Sequence, residues 1–265
     1  MASGLIAWVD DPSEHSRSYG IGVSARNGVT AGLLAEKGFG GPQGIFDPMK
    51  YNIYDAFSGA MHLEELTKGL GVEFYIAQQD GFKLYPCCGD IHTGLDALLR
   101  IIQEHDLQPE NIARVIHQVK ESRRPVIDNN PLHSHNAQYI MAIAAVDRQI
   151  RWNDFLYDRL EEPSIAAMYA KTQLVGTSEL ENSPSAAPAI VDVHTKDGRT
   201  FTKRVDYRKG HRQNPFTPEE LCQKYMDLAI PAVGVARARE IMEMVQRLEE
   251  VENVRILVDK MTRGC

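Results

Sequence analysis

Small and apolar positions recur at helical spacing through residues 23–34, with Ala25, Val29, Gly32 and Leu33 on one face, and stop at the glycine-rich residues 38–44. The pattern predicts a buried helix with an abrupt end. Residues 45–75 are mixed and predict helix in short pieces. Leu95, Leu98, Leu99 and Ile102 restore the helical period behind Thr93-Gly94-Leu95-Asp96, which has the form of a capping box. Pro109-Glu110-Asn111-Ile112 then opens a short turn or helix, and residues 115–119 alternate as in a strand. Tyr139, Ile143, Val146 and Ile150 are again spaced as on a helix, and residues 181–187, with Asn, Ser and Pro, form a loop. Residues 189–194 and 200–205 flank Lys196-Asp197-Gly198-Arg199, a two-strand hairpin signal with Asp-Gly at its turn. Thr217-Pro218-Glu219-Glu220 supplies an N-cap, a proline at the first helical position and a capping-box glutamate; Ile241, Met244, Val245 and Leu248 mark another helix after a turn near Pro231. These changes of period predict an α+β protein. Helices from residues 1–72 and 208–265 pack together, and a smaller α/β unit with an antiparallel hairpin occupies residues 73–207.

Composition narrows the function classes. A chain of 265 residues with 43% hydrophobic and 25% charged content is long enough to bury a core. A net charge of −7 argues against a nucleic-acid partner, whose phosphates require a basic surface. No stretch approaches the roughly 18 uninterrupted apolar residues of a membrane span, and Asp10-Asp11 follow the N-terminus too closely for a secretory signal. A cytoplasmic or organelle-matrix protein is expected. The cysteines at 87, 88, 222 and 265 lack paired zinc-site spacing, and neighbouring Cys87 and Cys88 do not easily bridge, so reduced thiols are expected.

The densest chemistry lies in Lys83-Leu84-Tyr85-Pro86-Cys87-Cys88-Gly89-Asp90-Ile91-His92, where a cation, two thiols and an imidazole precede a helix start near Thr93. Free amides at a helix N-terminus and a nearby lysine suit an anion, so a carboxylate-bearing small molecule is the expected ligand.

This run resembles the Lys-x-Tyr/Phe-Pro-x-Cys-x-x-x-His motif of the MmgE/PrpD family, which includes 2-methylcitrate dehydratase, cis-aconitate decarboxylase and iminodisuccinate epimerase. Three further segments resemble the family in the same order. They are Gly22-Val23-Ser24-Ala25-Arg26-Asn27-Gly28 with Gly38-Phe39-Gly40-Gly41-Pro42, then Pro131-Leu132-His133-Ser134-His135-Asn136-Ala137-Gln138-Tyr139, then Gly210-His211-Arg212-Gln213-Asn214-Pro215-Phe216-Thr217.

The resemblance implies a lyase or isomerase of small di- or tricarboxylates that works without metal or other cofactor. Its active site would lie between a helical domain and an α/β lid. Lys83 falls on the family's lid lysine and would clamp a carboxylate; His92 closes the same motif; Tyr139 falls on a lid-helix tyrosine that would donate a proton or hydrogen bond. Arg17 stands where many members carry lysine, which keeps carboxylate binding but weakens acid-base chemistry. Ile21 replaces a histidine that often follows that lysine. Cys88 and Arg212 are further substrate-binding candidates. The match begins about midway through family members, near Ala2-Ser3-Gly4-Leu5. Two classes therefore stay open: an enzyme half completed by an N-terminal-half protein or a second copy, and a non-catalytic remnant that binds an anion or partner. Dehydratase, decarboxylase and epimerase chemistry are not separated. The helices of residues 23–35 and 217–248 should present apolar faces to a partner.

Overall fold

A computed structural model describes residues 15–47, 51–57, 62–74, 81–155 and 157–262. Ala2-Ser3-Gly4-Leu5 and Cys265 lie outside the described residues. The helices are α1 (His15–Glu36), α2 (Ile53–Phe57), α3 (Leu63–Thr67), α4 (His92–Glu104), α5 (Arg124–Ile127), α6 (Ala137–Asp147), α7 (Pro163–Tyr169), α8 (Pro218–Val233), α9 (Val235–Gln246) and α10 (Val254–Met261). The strands are β1 (Ile112–Lys120), β2 (Thr172–Thr177), β3 (Ala189–Thr195) and β4 (Thr200–Val205).

The four strands form one mixed sheet in the order β2-β1-β3-β4. β1 runs parallel to β2, with Val115 opposite Thr172, and antiparallel to β3, with Val115 opposite Val193. The parallel pair needs a long crossover, and α5, α6 and α7 lie within it. β3 and β4 form the hairpin expected around Asp197-Gly198, where Gly198 has φ 87°. α4 and α6 cover one face of the sheet. There Leu95, Leu98 and Ile102 meet Ile112, Val115, Val191 and Val193 in a single core. The opposite face is polar: Gln118 Nε2 donates to Asp192 at 2.7 Å and Thr202 Oγ1 donates to its other oxygen at 2.5 Å. One packed and one wetted face explain the alternation along β1.

Gly94 sets how closely α4 approaches the sheet. A Cβ at this position would stand 2.2 Å from Nε2 of His117 on β1, so glycine is the residue that admits the helix there. α6 is apolar around its whole circumference and is buried from Ala137 through Ala145. Its N-cap is Asn136, whose side-chain oxygen accepts from the Tyr139 amide at 3.0 Å. The helix stops at Asp147 because Arg148 turns left-handed (φ 59°), which leaves Ile150 outside a period that included it.

The capping box expected at Thr93 does not form. A 3₁₀ turn, Gly89–Ile91, runs directly into α4, so Thr93 lies inside the helix rather than at its cap. The Thr93 hydroxyl donates to the Ala187 carbonyl at 2.8 Å, while Asp96 accepts from the Tyr85 hydroxyl (2.8 Å) and the Lys209 amide (2.9 Å). Distant partners took both groups. The second box is present at Thr217 and Glu220 and opens α8. That helix passes through Pro231, near its end, and turns at Gly234 (φ 81°), three residues later than expected.

α1 spans the expected helix but has no buried residue, which corrects its reading as a buried element. Ile21, Val29 and Leu33 are all more than half exposed. Among the described residues no segment is packed over that face.

Candidate functional site

The position of Lys83 depends on a backbone clamp. The Phe82 amide donates to the Gly210 carbonyl at 3.0 Å, and Cβ atoms at Gly81 or Gly210 would meet backbone carbonyls at 2.4 and 2.1 Å. Phe82 also meets Phe216 edge-on with ring centroids 6.3 Å apart. The loop at residues 210–217 thus anchors the segment that carries Lys83. From there the Cys88 amide donates to the Ser134 carbonyl at 2.9 Å, which ties the Pro-Cys-Cys turn to the 3₁₀ turn His133–His135.

Between these pieces lies a cleft of about 290 Å³. Arg17 of α1, Lys83, Ser134 and His135 bring polar groups to its wall, and Trp152 and Phe155 supply an apolar side. Lys83 Nζ donates to the Cys87 carbonyl at 3.0 Å, which holds the ammonium against the turn. Ser134 Oγ and His135 Nδ1 are hydrogen-bonded at 3.0 Å, so the hydroxyl orients the imidazole. Asp90 lies just beyond, where burial pushes its carboxyl up and Arg123, Arg208 and Lys83 pull it down. The surroundings are cationic. Such a cleft can hold a carboxylate by charge and orient it through hydroxyl and imidazole groups.

Two of the six residues expected at the site, Arg17 and Lys83, meet in this wall. His92 is fully buried and stands edge-on to Tyr85 with centroids 5.2 Å apart. Desolvation, with Arg208 and Lys83 nearby, pushes its imidazole down to about 3. The Cys87 and Tyr85 carbonyls face the ring and oppose part of this shift, although neither ring nitrogen has a hydrogen bond of good geometry among the described residues. Tyr139 is also fully buried. Its hydroxyl accepts from the Arg159 amide at 3.1 Å and faces the carbonyls of Asp154 and Tyr157 at 3.3 and 3.4 Å. Burial pushes the phenol up. Arg159 completes this network, bonded to Asp147 and Glu162 at 2.7 Å each and to Asp154 at 3.1 Å. Cys88 is half-buried beside Arg17, with its thiol pushed up mainly by burial. Burial also pushes up the Cys87 thiol, which lines the cleft. Arg212 sits exposed on the anchoring loop, outside the cleft wall. The helix start near Thr93 is likewise covered by the Ala187 carbonyl.

Ser134 and His135 enter the site without having been singled out for chemistry. Their signal was the position of the Pro-Leu-His-Ser-His-Asn segment just before a helix, but only the contact with Cys88 shows which of its side chains face Lys83. Among the described residues no group of three or more His, Cys, Asp or Glu side chains is arranged to hold a metal ion.

Residues 85–250 match the MmgE/PrpD C-terminal domain. The chain belongs to the MmgE/PrpD family. It is 25% identical over 254 residues to cis-aconitate decarboxylase of Mus musculus, covering 89% of this chain and 50% of the relative. The identity to the Homo sapiens enzyme of that name is 26% over 256 residues, covering 89% and 51%. The Aspergillus terreus enzyme is 25% identical over 260 residues, covering 90% and 53%. The chain thus spans about half the length of the curated relatives it matches.

Proposed function

We propose that this MmgE/PrpD chain forms one wall of a lyase site for a small di- or tricarboxylate, with decarboxylation of a cis-aconitate-like substrate as the reaction. The carrying observation is the cleft in which Arg17 and Lys83 face Ser134 and His135, in a chain whose matched relatives are named cis-aconitate decarboxylases. Lys83 and Arg17 clamp carboxylates that stay on the substrate. When the carbon–carboxylate bond breaks, its electron pair passes into the remaining conjugated carboxylate, and a clamped cation stabilises that developing charge. The product carbon then takes a proton. His135, oriented by Ser134, is the group in the cleft suited to deliver it, whereas the Tyr139 hydroxyl is bonded to the Arg159 amide and His92 is buried outside the cleft wall.

Calorimetry with cis-aconitate tests the clamp. Lys83→Ala should weaken binding by roughly ten- to a hundredfold, since a charge-assisted hydrogen bond is worth about 1.5–3 kcal/mol. Unchanged affinity would remove the clamp from the mechanism. Carbon dioxide release from cis-aconitate, lost in His135→Asn with binding retained, would support the proton-delivery step. The exposed apolar residues of α1, Ile21, Val29, Leu33 and Leu34 among them, further support assembly with helices like those of the relatives' other half, supplied in the same polypeptide, a separate one or a second copy.

A further inference from the structure

The cleft beside Lys83 is not isolated. A second cavity of about 520 Å³ adjoins it, and Pro86 and Trp152 line both. Leu84, Ile150 and Leu228 give the second cavity an apolar lining, while Lys224 and Arg151, the latter 4.0 Å from Asp147, bring positive charge to it. Asp227 is the carboxylate there, and it already accepts from the Gln223 side chain at 2.7 Å. Lys224 is half-buried and has no carboxylate within ion-pair distance among the described residues. Loss of water around it holds its ammonium below the ordinary lysine range. A partly desolvated cation of this kind favours an anion that can replace the lost water.

Pro86 is fixed in the backbone of the Pro-Cys-Cys turn. The Trp152 indole, by contrast, projects from the 3₁₀ turn Trp152–Phe155 and is 52% exposed. It is the part of the partition that a substitution can remove. We infer that Trp152 divides one extended groove and sets the length of carboxylate the site accepts, and that the cavity beyond it is a subsite for the distal anionic end of a longer aliphatic dicarboxylate. The apolar lining suits the methylene chain, and Lys224 and Arg151 suit the far carboxylate. With the indole in place, short polycarboxylates stay against Lys83.

This inference rests on the carboxylate reading of the near cleft, and the experiment separates the two. Calorimetric titrations with cis-aconitate, succinate, suberate and sebacate would compare the wild-type chain with Trp152→Ala, Trp152→Phe and the double variant Trp152→Ala/Lys224→Ala. Trp152→Ala should gain on the order of tenfold in affinity for suberate or sebacate relative to cis-aconitate, the scale of one added charge-assisted contact. Trp152→Phe should keep most of the partition and so behave like the wild type. The double variant should lose the gain. Equal preference for short and long acids in the wild type, or an unchanged profile in Trp152→Ala with cis-aconitate still bound, would overturn the partition and leave the near cleft standing. Absence of binding by any of these acids to the wild type would overturn both. Circular dichroism of each variant guards against misfolding, and if Trp152→Ala unfolds, a gain of sebacate binding in Trp152→Ser decides the question.

Discussion

Helices α4 and α1 are similarly apolar on average and reach opposite ends. In the packed sheet layer, Leu95 and Leu98 of α4 are fully buried against β1 and β3. On α1, Val29 and Leu33 are also spaced as neighbours on one side of a helix, four residues apart, and remain more than half exposed. The glycines differ in the same way. Gly94 sits under the His117 ring, whereas a Cβ at Gly28 or Gly32 of α1 would meet nothing within 4 Å. The apolar residues of α4 are gathered on one side and those of α1 are spread around it, so burial follows both the strength of the pattern and whether another element arrives to cover it. The lesson extends to chemistry: α4 and its neighbours hold His92 and Tyr139 inside the layer, and the cleft forms where the layer meets α1.

The comparison can be broken most severely at a leucine. Leu98→Ala should cost about 2–5 kcal/mol by leaving a cavity in the packed layer, while Val29→Ala on α1 should stay within about 0.5 kcal/mol. Urea denaturation of both variants measures the contrast, and similar losses would show α1 to be packed in solution.

Acid should act on the layer next. Burial holds His117 down to about 4 and His92 to about 3, against an ordinary value of 6.5. Both folded values are depressed, so the stability gained from keeping the rings neutral is complete above pH 6.5. It is lost as pH falls from there through about 4 and then 3. For His117 alone the loss is ~3 kcal/mol. Urea midpoints taken between neutral pH and mild acid should fall accordingly, and His117→Asn should flatten the slope even if its stability at neutral pH is lower. A flat profile in the parent chain would mean that the rings are hydrated or paired in solution.

A paired glycine experiment sharpens the contrast at smaller amplitude. Gly94→Ala should destabilise by about 1–3 kcal/mol through overpacking against His117. Gly28→Ala should instead stabilise by up to about 1 kcal/mol, because only helix propensity changes. Opposite signs in thermal or urea melts are the expected outcome. Thr217→Ala, which removes an N-cap from α8, should cost about 1 kcal/mol and report whether the C-terminal helices unfold with the layer or before it.

Much of this architecture was readable before any coordinates. The Asp197-Gly198 hairpin, the alternation in β1, the α4 period and the Thr217 capping box are local signals, and each is present in the structure. β2 was not read. It is an edge strand, half-exposed along most of its length and containing Gly176, and its identity comes from a parallel partner more than fifty residues away. The Thr93 box was misread for a related reason. Its hydroxyl and its carboxylate have partners at Ala187, Tyr85 and Lys209 that no local pattern contains.

By itself the amino-acid sequence determined the element types, the family, and the run of residues in which Lys83 stands, because periodicity, caps and ordered motifs are properties of short stretches of chain. Tertiary structure alone decided which of the candidate side chains share a cleft. Lys83 is placed by a segment clamped at Gly210 and by a turn hydrogen-bonded to Ser134, which brings Ser134 and His135 beside it, and Arg17 of α1 lines the same cleft. Tyr139 and His92 go inward because the interior supplies an amide and carbonyls for the phenol and a close-packed space for the imidazole. Those outcomes depend on groups separated by tens of residues, whose meeting only the folded chain establishes.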